Sequence, residues 1–310
     1  FSESLILLLK SYLRGRINCV RYRNYTSQTF TPNSGVPQGS NLGPLLFLLF
    51  INDLPNTIFS EKLLFADDFK IFHRIDSLND CLLLQNNLHN LYKWCTLNCL
   101  AWNLDKCKVM SFSNKKKFIE FSYNINGTNL TRTTEFKDLG ILFDEKLTFV
   151  NHVNDIVRKA FVNYGFIYRN CRDFTNVKSL ITLYCSLVRS KLEYGSFIWF
   201  PIYETHSWHI ESVQRKFLKF VSFLLDGRYP ERGCDHHMLL RRFNVNLLST
   251  RRIILSLHFL YKLVNNIIDS SLLLSKLNFA VPRHNSRQHI TFYPKIGRTN
   301  VSNNSPVSVM

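Results

Sequence analysis

The stretch "LLFADDFKIF", Leu63 to Phe72, sets two adjacent carboxylates, Asp67 and Asp68, between two apolar runs. The runs read as short strands and the pair as the turn between them. Two unit charges about 4 Å apart repel by roughly 1 kcal/mol in water and about 4 kcal/mol at an effective dielectric near 20. A turn relieves that repulsion by aiming both groups at solvent. A divalent cation between them converts it into a binding site. Acidic pairs are common in exposed turns, so the surrounding sequence has to decide.

Upstream, "PNSGVPQGSNLGP" carries three Pro and three Gly in thirteen residues and reads as a loop with fixed backbone turns. Leu45 to Leu54 reads as a short buried helix stopped by Pro55. The first fifteen or so residues, with cap candidates Ser2 and Ser4 and Leu5, Leu8 and Leu9 at helical spacing, predict a helix ended by Gly15. "INCVRYRNYTSQTF" predicts a hairpin turning near Asn24. Downstream, Ser77 to Leu100 reads as a helix with a Ser77/Asp80 capping box and one face traced by Cys81, Leu84, Leu88, Leu91 and Cys95. Strand-like "KVMSF", "FIEFSYNI" with the turn signal Asn126-Gly127, and "EFKDLGILFD" follow. Lys115, Lys116 and Lys117 read as a solvated loop. From about Asn151 the pattern becomes helical, over 151–170, 176–193 and 207–225, with further helix to about 277. The last stretch is polar and reads as an extended tail.

The composition allows a substantial core: 45% hydrophobic and 14% aromatic, with 26 Phe among 310 residues. The length suits two domains, or one large domain with an appended one. The longest apolar run, Leu42 to Ile51, is about half the roughly 20 residues of a spanning helix. With Phe as its first residue and no charged-then-apolar leader, the chain reads as soluble, unexported and cut from something longer. Eight cysteines without paired spacing read as reduced thiols. "CDHHM", with Cys234, His236 and His237, lacks a second ligand pair at a finger-like distance, so zinc is not expected. The net charge of +17 is uneven, with 12 basic against 11 acidic residues over 61–150 and 15 against 6 over 201–310. That balance suits a polyanionic partner, most simply nucleic acid or an anionic surface.

"SGVPQGSNLGPLLFLLFINDL" followed by "LLFADDFKIF" resembles adjacent blocks of reverse transcriptases, specifically the non-LTR, LINE-type group closest to jockey-like elements. "WCTLNCLAWNLDKCKVMSF" is similar to that family's next palm block and "FKDLGILFDEKLTF" to its primer-grip block. "LYCSLVRSKLEYGSFIWFP" and "IESVQRKFLKF" resemble its thumb and following helices.

The resemblance implies an α+β fold: a partial polymerase palm of antiparallel sheet backed by helices over 1–150, a helical thumb over 151–225, a C-terminal helical region over 226–280 and a tail over 281–310. It implies RNA-directed DNA synthesis from an RNA template, a DNA primer and dNTPs, with Mg²⁺ (or Mn²⁺) held by Asp67 and Asp68. Pro37 and Gly39 would set the loop backbone and Gln38 would lie near the nucleotide and template base. Lys106 would approach the triphosphate and protonate pyrophosphate. Leu139 and Gly140 would hold the primer end. Arg158, Lys159, Arg215, Lys216 and Lys219 are candidates for nucleic-acid contact, with Arg241, Arg242, Arg251 and Arg252 adding charge beyond them. An element ribonucleoprotein, a nuclear site of action and no membrane partner are the corresponding expectations.

One feature departs from the family pattern. The family carries a further catalytic aspartate before the "GVPQG" loop, whereas here the first aspartate is Asp53 and the earlier acid is Glu3. The expectation is a C-terminal part of a polymerase that is inactive alone. The alternative is a non-catalytic, nucleic-acid-binding remnant of a decayed element.

Overall fold

A computed structural model describes residues 2–113, 119–201, 203–280 and 292–293. The architecture is α+β, with helices and ladders of two strands each. It divides into two compact units: residues 1–109 with 115–132, and residues 110–114 with 133–310.

The first unit opens with helix α1 (Glu3–Leu13), whose cap Ser2 accepts the Leu5 amide. A hairpin follows, β1 (Arg21–Tyr22) and β2 (Tyr25–Thr26), then α2 (Leu42–Ile51) and a 3₁₀ turn at Leu54–Thr57 with Pro55 as its second residue. β3 (Glu61–Phe65) and β4 (Asp68–Phe72) form an antiparallel pair, and α3 (Leu78–Leu97) starts with the expected Ser77/Asp80 capping box. A short strand β5 (Lys108–Val109) runs parallel to β8 (Thr131–Arg132), and between them β6 (Asn124–Ile125) and β7 (Thr128–Asn129) close on Asn126-Gly127. The strands expected over 108–112 and 118–125 are therefore two residues long where described. Lys115, Lys116 and Lys117 lie outside the described residues.

The core of this unit is small: Ile51, Leu54, Ile58, Leu91, Trp94 and Cys95, with Leu64, Phe69 and Ile71 packed against it. Asn87 is fully buried, accepting the Phe59 amide at 3.1 Å and donating to Ser60 Oγ at 2.6 Å. It ties the entry of β3 to α3. The expectation that α2 is buried does not hold within the unit. Leu45, Leu48, Leu49 and Phe50 are exposed, and only Gly43 and Ile51 are buried. A helix apolar on every side needs cover on every side. Here it is Phe47 and the C-terminal Ile51 that meet the core of the unit.

The second unit begins with the hairpin β9 (Glu135–Asp138) and β10 (Ile141–Asp144), then α4 (Val150–Asn170) and α5 (Val177–Tyr184). A π-helical turn over Cys185–Arg189 leads into α6 (Ser190–Glu193), followed by α7 (Glu204–Asp226), α8 (His236–Arg242), α9 (Leu248–Val264) and α10 (Ser271–Leu274). One continuous core runs from Ile141 through Ala160, Leu180, Trp199 and Phe217 to Leu240 and Leu248. The hairpin thus shares a core with the helices, where the sequence reading places it before a boundary at 150. Regions 151–225 and 226–280 share that core as well. Apart from Phe292 and Tyr293, residues 281–310 lie outside the described residues.

Two side chains join the hairpin to α4. Asp144 accepts the amides of Lys146 and Thr148, both at 3.0 Å, and of Phe149 at 2.7 Å, and the Thr148 hydroxyl at 3.1 Å. It therefore organises the turn that starts α4. His152 is 2% exposed, accepts the Leu142 amide on Nδ1 at 3.2 Å and meets Trp199 edge to face. Accepting on Nδ1 places the neutral ring's proton on Nε2. Burial pulls its pKa down from 6.5 to about 4.

Between pH 6.5 and about 4 the unfolded chain takes a proton on this histidine that the folded chain refuses. Stability is full above the unfolded value and falls as pH drops through that window, by an amount on the order of 3 kcal/mol. Thermal unfolding of wild type and His152→Asn from pH 7.5 to 4 should show a difference that shrinks with acid. A constant difference would mean that the folded ring is as easily protonated as the unfolded one.

Candidate active site

Asp67 and Asp68 stand at the tip of the β3–β4 hairpin. Phe65 pairs with Asp68, leaving Ala66 and Asp67 as a two-residue loop. Ala66 has a φ of 50°, the positive value at the first loop position that primed hairpin turns share. Leu64, Phe69 and Ile71 face the core, which fixes the register, and a slip by one residue would turn them outward. The other face, with Leu63, Phe65 and Phe72, is exposed. Both carboxylates are exposed, with no hydrogen-bond or ion-pair partner among the described residues.

Two adjacent hard oxygen donors on a short, registered turn are a suitable donor set for a divalent ion. The pair stands without a third nearby ligand: among the described residues no group of three or more His, Cys, Asp or Glu side chains is gathered. Cys234 donates its thiol to the Asp235 carbonyl, and His236 contacts Glu211 at 2.9 Å.

The loop before α2 is tied at both ends. Arg16 donates to the Gly35 carbonyl at 2.6 Å and to that of Ser34 at 3.3 Å. The Ser40 amide and hydroxyl both donate to the Pro37 carbonyl, at 3.3 and 2.7 Å, and Ser40 Oγ accepts the Gly43 amide at 3.0 Å. Pro37 to Ser40 is thus a hydrogen-bonded turn whose third residue, Gly39, has a φ of 79°, as a type II turn requires. Gln38 occupies the exposed second position. No hydrogen bond joins this turn to Asp67 or Asp68 among the described residues. Lys106 ends a 3₁₀ turn at Leu104–Lys106 just before β5; its side chain is exposed and its amide donates to Asn103.

Leu139 and Gly140 belong to the second unit and form the two-residue loop of its hairpin, since Asp138 pairs with Ile141. Their φ values of 43° and 88° define a type I′ turn. Gly140 takes this freely. Leu139 pays roughly 1–2 kcal/mol for a left-handed backbone. Tyr194, after α6, donates its hydroxyl to the Leu139 carbonyl at 2.9 Å. A Cβ on Gly140 would lie 3.3 Å from the Tyr194 ring, and one on Gly195 would lie 2.7 Å from Ile141. Sequence reasoning did not single out Tyr194, Asp144 or His152. The blocks "LGILFD" and "EYGSFIW" contain the contact, but nothing in either says that they touch.

The basic candidates divide. Arg158 and Lys159, on α4, both bond to Asp155. Burial works against the Asp155 carboxylate, yet hydrogen bonds from Lys159 and Arg158 hold it below its ordinary pKa. On α7, Lys216 lies 4.7 Å above the Phe161 ring, and Arg215 and Lys219 are half-buried. Of the four arginines expected to add charge beyond them, Arg251 and Arg252 turn inward, and the exposed Arg242 is neutralised by a carboxylate. Arg242 forks onto Asp226 at 2.6 and 2.7 Å, Arg251 pairs with Glu193, and Arg252 is 1% exposed with Nη2 on Ser207. Arg241 remains exposed. No described helix is long and apolar enough to cross a membrane.

Residues 1–143 match the family described as reverse transcriptase (RNA-dependent DNA polymerase). The chain is 29% identical over 223 residues to a probable RNA-directed DNA polymerase from transposon X-element of Drosophila melanogaster, covering 69% of this chain and 24% of that protein. It is 30% identical over 246 residues to the corresponding protein of transposon BS from the same species, covering 74% and 26%. To the RNA-directed DNA polymerase from mobile element jockey of Drosophila funebris it is 28% identical over 235 residues, covering 71% and 25%. The chain spans about a quarter of the length of these relatives. No solved structure matches it. Divalent metals are general to this family. Residues 1–143 thus carry a match to the reverse transcriptase family, and the chain is similar to proteins of jockey-like and other non-LTR retrotransposons.

Proposed function

We propose that this chain is part of an RNA-directed DNA polymerase, and that Asp67 and Asp68 are its metal-holding carboxylates. The observation that carries the reading is the exposed, partner-free pair at the tip of a registered two-residue hairpin, in a segment that matches a polymerase family. Its substrates are dNTPs, a DNA primer and an RNA template within an element ribonucleoprotein. Mg²⁺ is the natural ion for two hard carboxylates, with Mn²⁺ as a substitute. When bound, paired divalent ions stabilise the attacking and leaving oxygens of nucleotidyl transfer.

The other roles fall to this chain's own side chains. Gln38 contacts the incoming nucleotide or the template base from its turn. Lys106 approaches the triphosphate and gives a proton to the pyrophosphate oxygen. Leu139 and Gly140 position the primer end. Arg158, Lys159, Arg215, Lys216 and Lys219 contact phosphates, with Arg158 and Lys159 contributing less than two full charges because they share Asp155.

In a longer polypeptide that supplies the further aspartate, Asp67→Asn or Asp68→Asn should each reduce primer extension to background while leaving the fold intact. Near wild-type extension by either variant would remove the pair from catalysis. A polypeptide of these 310 residues alone should not extend a primer on RNA with Mg²⁺ or Mn²⁺. Templated synthesis by it, lost in its own Asp67→Asn control, would show that the site needs fewer carboxylates than proposed. It should still bind a primer–template duplex, with log affinity falling against log salt at about −0.9 per duplex phosphate neutralised. Binding that is absent or flat with salt would strip the basic helices of their role. Binding without catalysis in the longer polypeptide would favour the non-catalytic remnant.

A further inference from the structure

We infer that Tyr194 is a positioning residue for the primer end: its hydroxyl holds the Leu139 carbonyl and its ring backs Gly140, fixing the turn that carries the exposed Leu139. The inference rests on the reading of that turn as a primer contact and adds the group that shapes it.

The turn has a choice to make. A two-residue hairpin loop is type I′ when both residues have positive φ and type II′ when only the first does. The two forms differ by a flip of the peptide between the loop residues, which reverses the carbonyl of the first. Glycine at the second position accepts either form. Gly140 leaves the choice open, while Leu139 already leans toward type I′, because type II′ calls for glycine at the first position. A bond to that very carbonyl, from Tyr194 Oη to Leu139 O at 2.9 Å, fixes this form and ties it to the helical part of the unit. A flipped peptide would carry the acceptor away from the phenol.

Tyr194 is itself held in place. Its amide donates to the Ser190 carbonyl at 3.1 Å, and its own carbonyl accepts Trp199 Nε1 at 2.8 Å, from an indole that is fully buried. Trp199 in turn meets His152, whose ring accepts the Leu142 amide. Leu139, Gly140, Ile141 and Leu142 are thus met in sequence by Tyr194, Tyr194, Gly195 and His152. Tyr194 is nevertheless 59% exposed and Leu139 41% exposed. A tyrosine kept for core packing would be covered. This one spends its ring on Gly140 and its hydroxyl on a strained surface turn, 55 residues away in sequence. Strain that the surroundings over-determine at the surface is a mark of a working contact. The exposed pair offers an aliphatic and an aromatic surface, suited to the sugar and base of a terminal nucleotide.

The test uses the full 310-residue chain as wild type, Tyr194→Phe and Leu139→Ala. Two duplexes of equal length are compared, an RNA template with a recessed DNA primer end and a blunt RNA–DNA duplex. Hydrogen exchange reports order at the Gly140 and Ile141 amides. Tyr194→Phe keeps the ring and removes one hydrogen bond. It should speed exchange at the turn and weaken binding of the recessed duplex roughly fivefold, leaving the blunt duplex and the unfolding midpoint unchanged. Leu139→Ala should show the same preference for weakening the recessed duplex. Equal weakening on both duplexes, or unchanged exchange, would reduce Tyr194 to a structural role and overturn the inference. A selective loss in Leu139→Ala without one in Tyr194→Phe would overturn it while leaving the primer reading standing. If neither variant distinguishes the duplexes, the primer reading fails and takes the inference with it.

Discussion

Turn chirality is the constraint on which the functional parts of this chain depend. Every ladder among the described residues is two strands wide, and each antiparallel pair closes on two residues. The right-handed twist of such ribbons matches primed turns, which need positive φ at the first loop residue. The loops comply at Arg23, Ala66, Asn126 and Leu139, with φ values of 54°, 50°, 49° and 43°. Asparagine adopts this readily, whereas alanine and leucine do so at a cost. Three of the four carry that cost, at Arg23, Ala66 and Leu139, and two of these turns hold Asp67 and Leu139. Both proposed contacts, to metal and to primer, thus sit on strained turns, and strand pairing on either side holds each turn in place.

The units meet the demand for burial differently. The first has a small core, and Ile6, Leu7, Leu8 and Leu13 of α1, much of α2 and one side of the Asp67 hairpin are exposed. The second has a continuous core crossed by a buried polar network. Glu211 accepts the Leu248 amide that opens α9, holds His236 of α8 and takes a bond from Gln214, which itself bonds to the buried Tyr184 hydroxyl. A single carboxylate with partners on three segments sets their mutual positions. Removing it would leave several buried groups unpaired, a cost larger than any one of its bonds.

The same network changes the meaning of the charge. A chain with a basic C-terminal half suits phosphate binding, but a charge attracts phosphates only where it is exposed and uncompensated. Arg251 and Arg252 turn inward, toward Glu193 and Ser207, and burial holds Arg252 below its ordinary pKa. Arg242 is spent on Asp226, whose carboxyl it holds low by hydrogen bonding. The surface left for nucleic acid is narrower than the sequence count.

Much was determined by the sequence alone, because it is governed by neighbours within a few residues. The capping box of α3, the Asn126-Gly127 turn, the long helices, and the placement of Asp67 and Asp68 on a hairpin are all local. So are the motif blocks that identify the family. The covering of α2, the length of the strands and the grouping of β9 and β10 with the helices were not legible, because each depends on what packs against the segment. The site shows the same division. Leu139 and Gly140 were readable as a turn, but the phenol that holds their peptide comes from 55 residues away. His152 looks like any helical histidine until Trp199 and the Leu142 amide close around it and burial removes its charge. Only the tertiary structure decided these contacts, since burial and long-range hydrogen bonds arise when distant segments share a core.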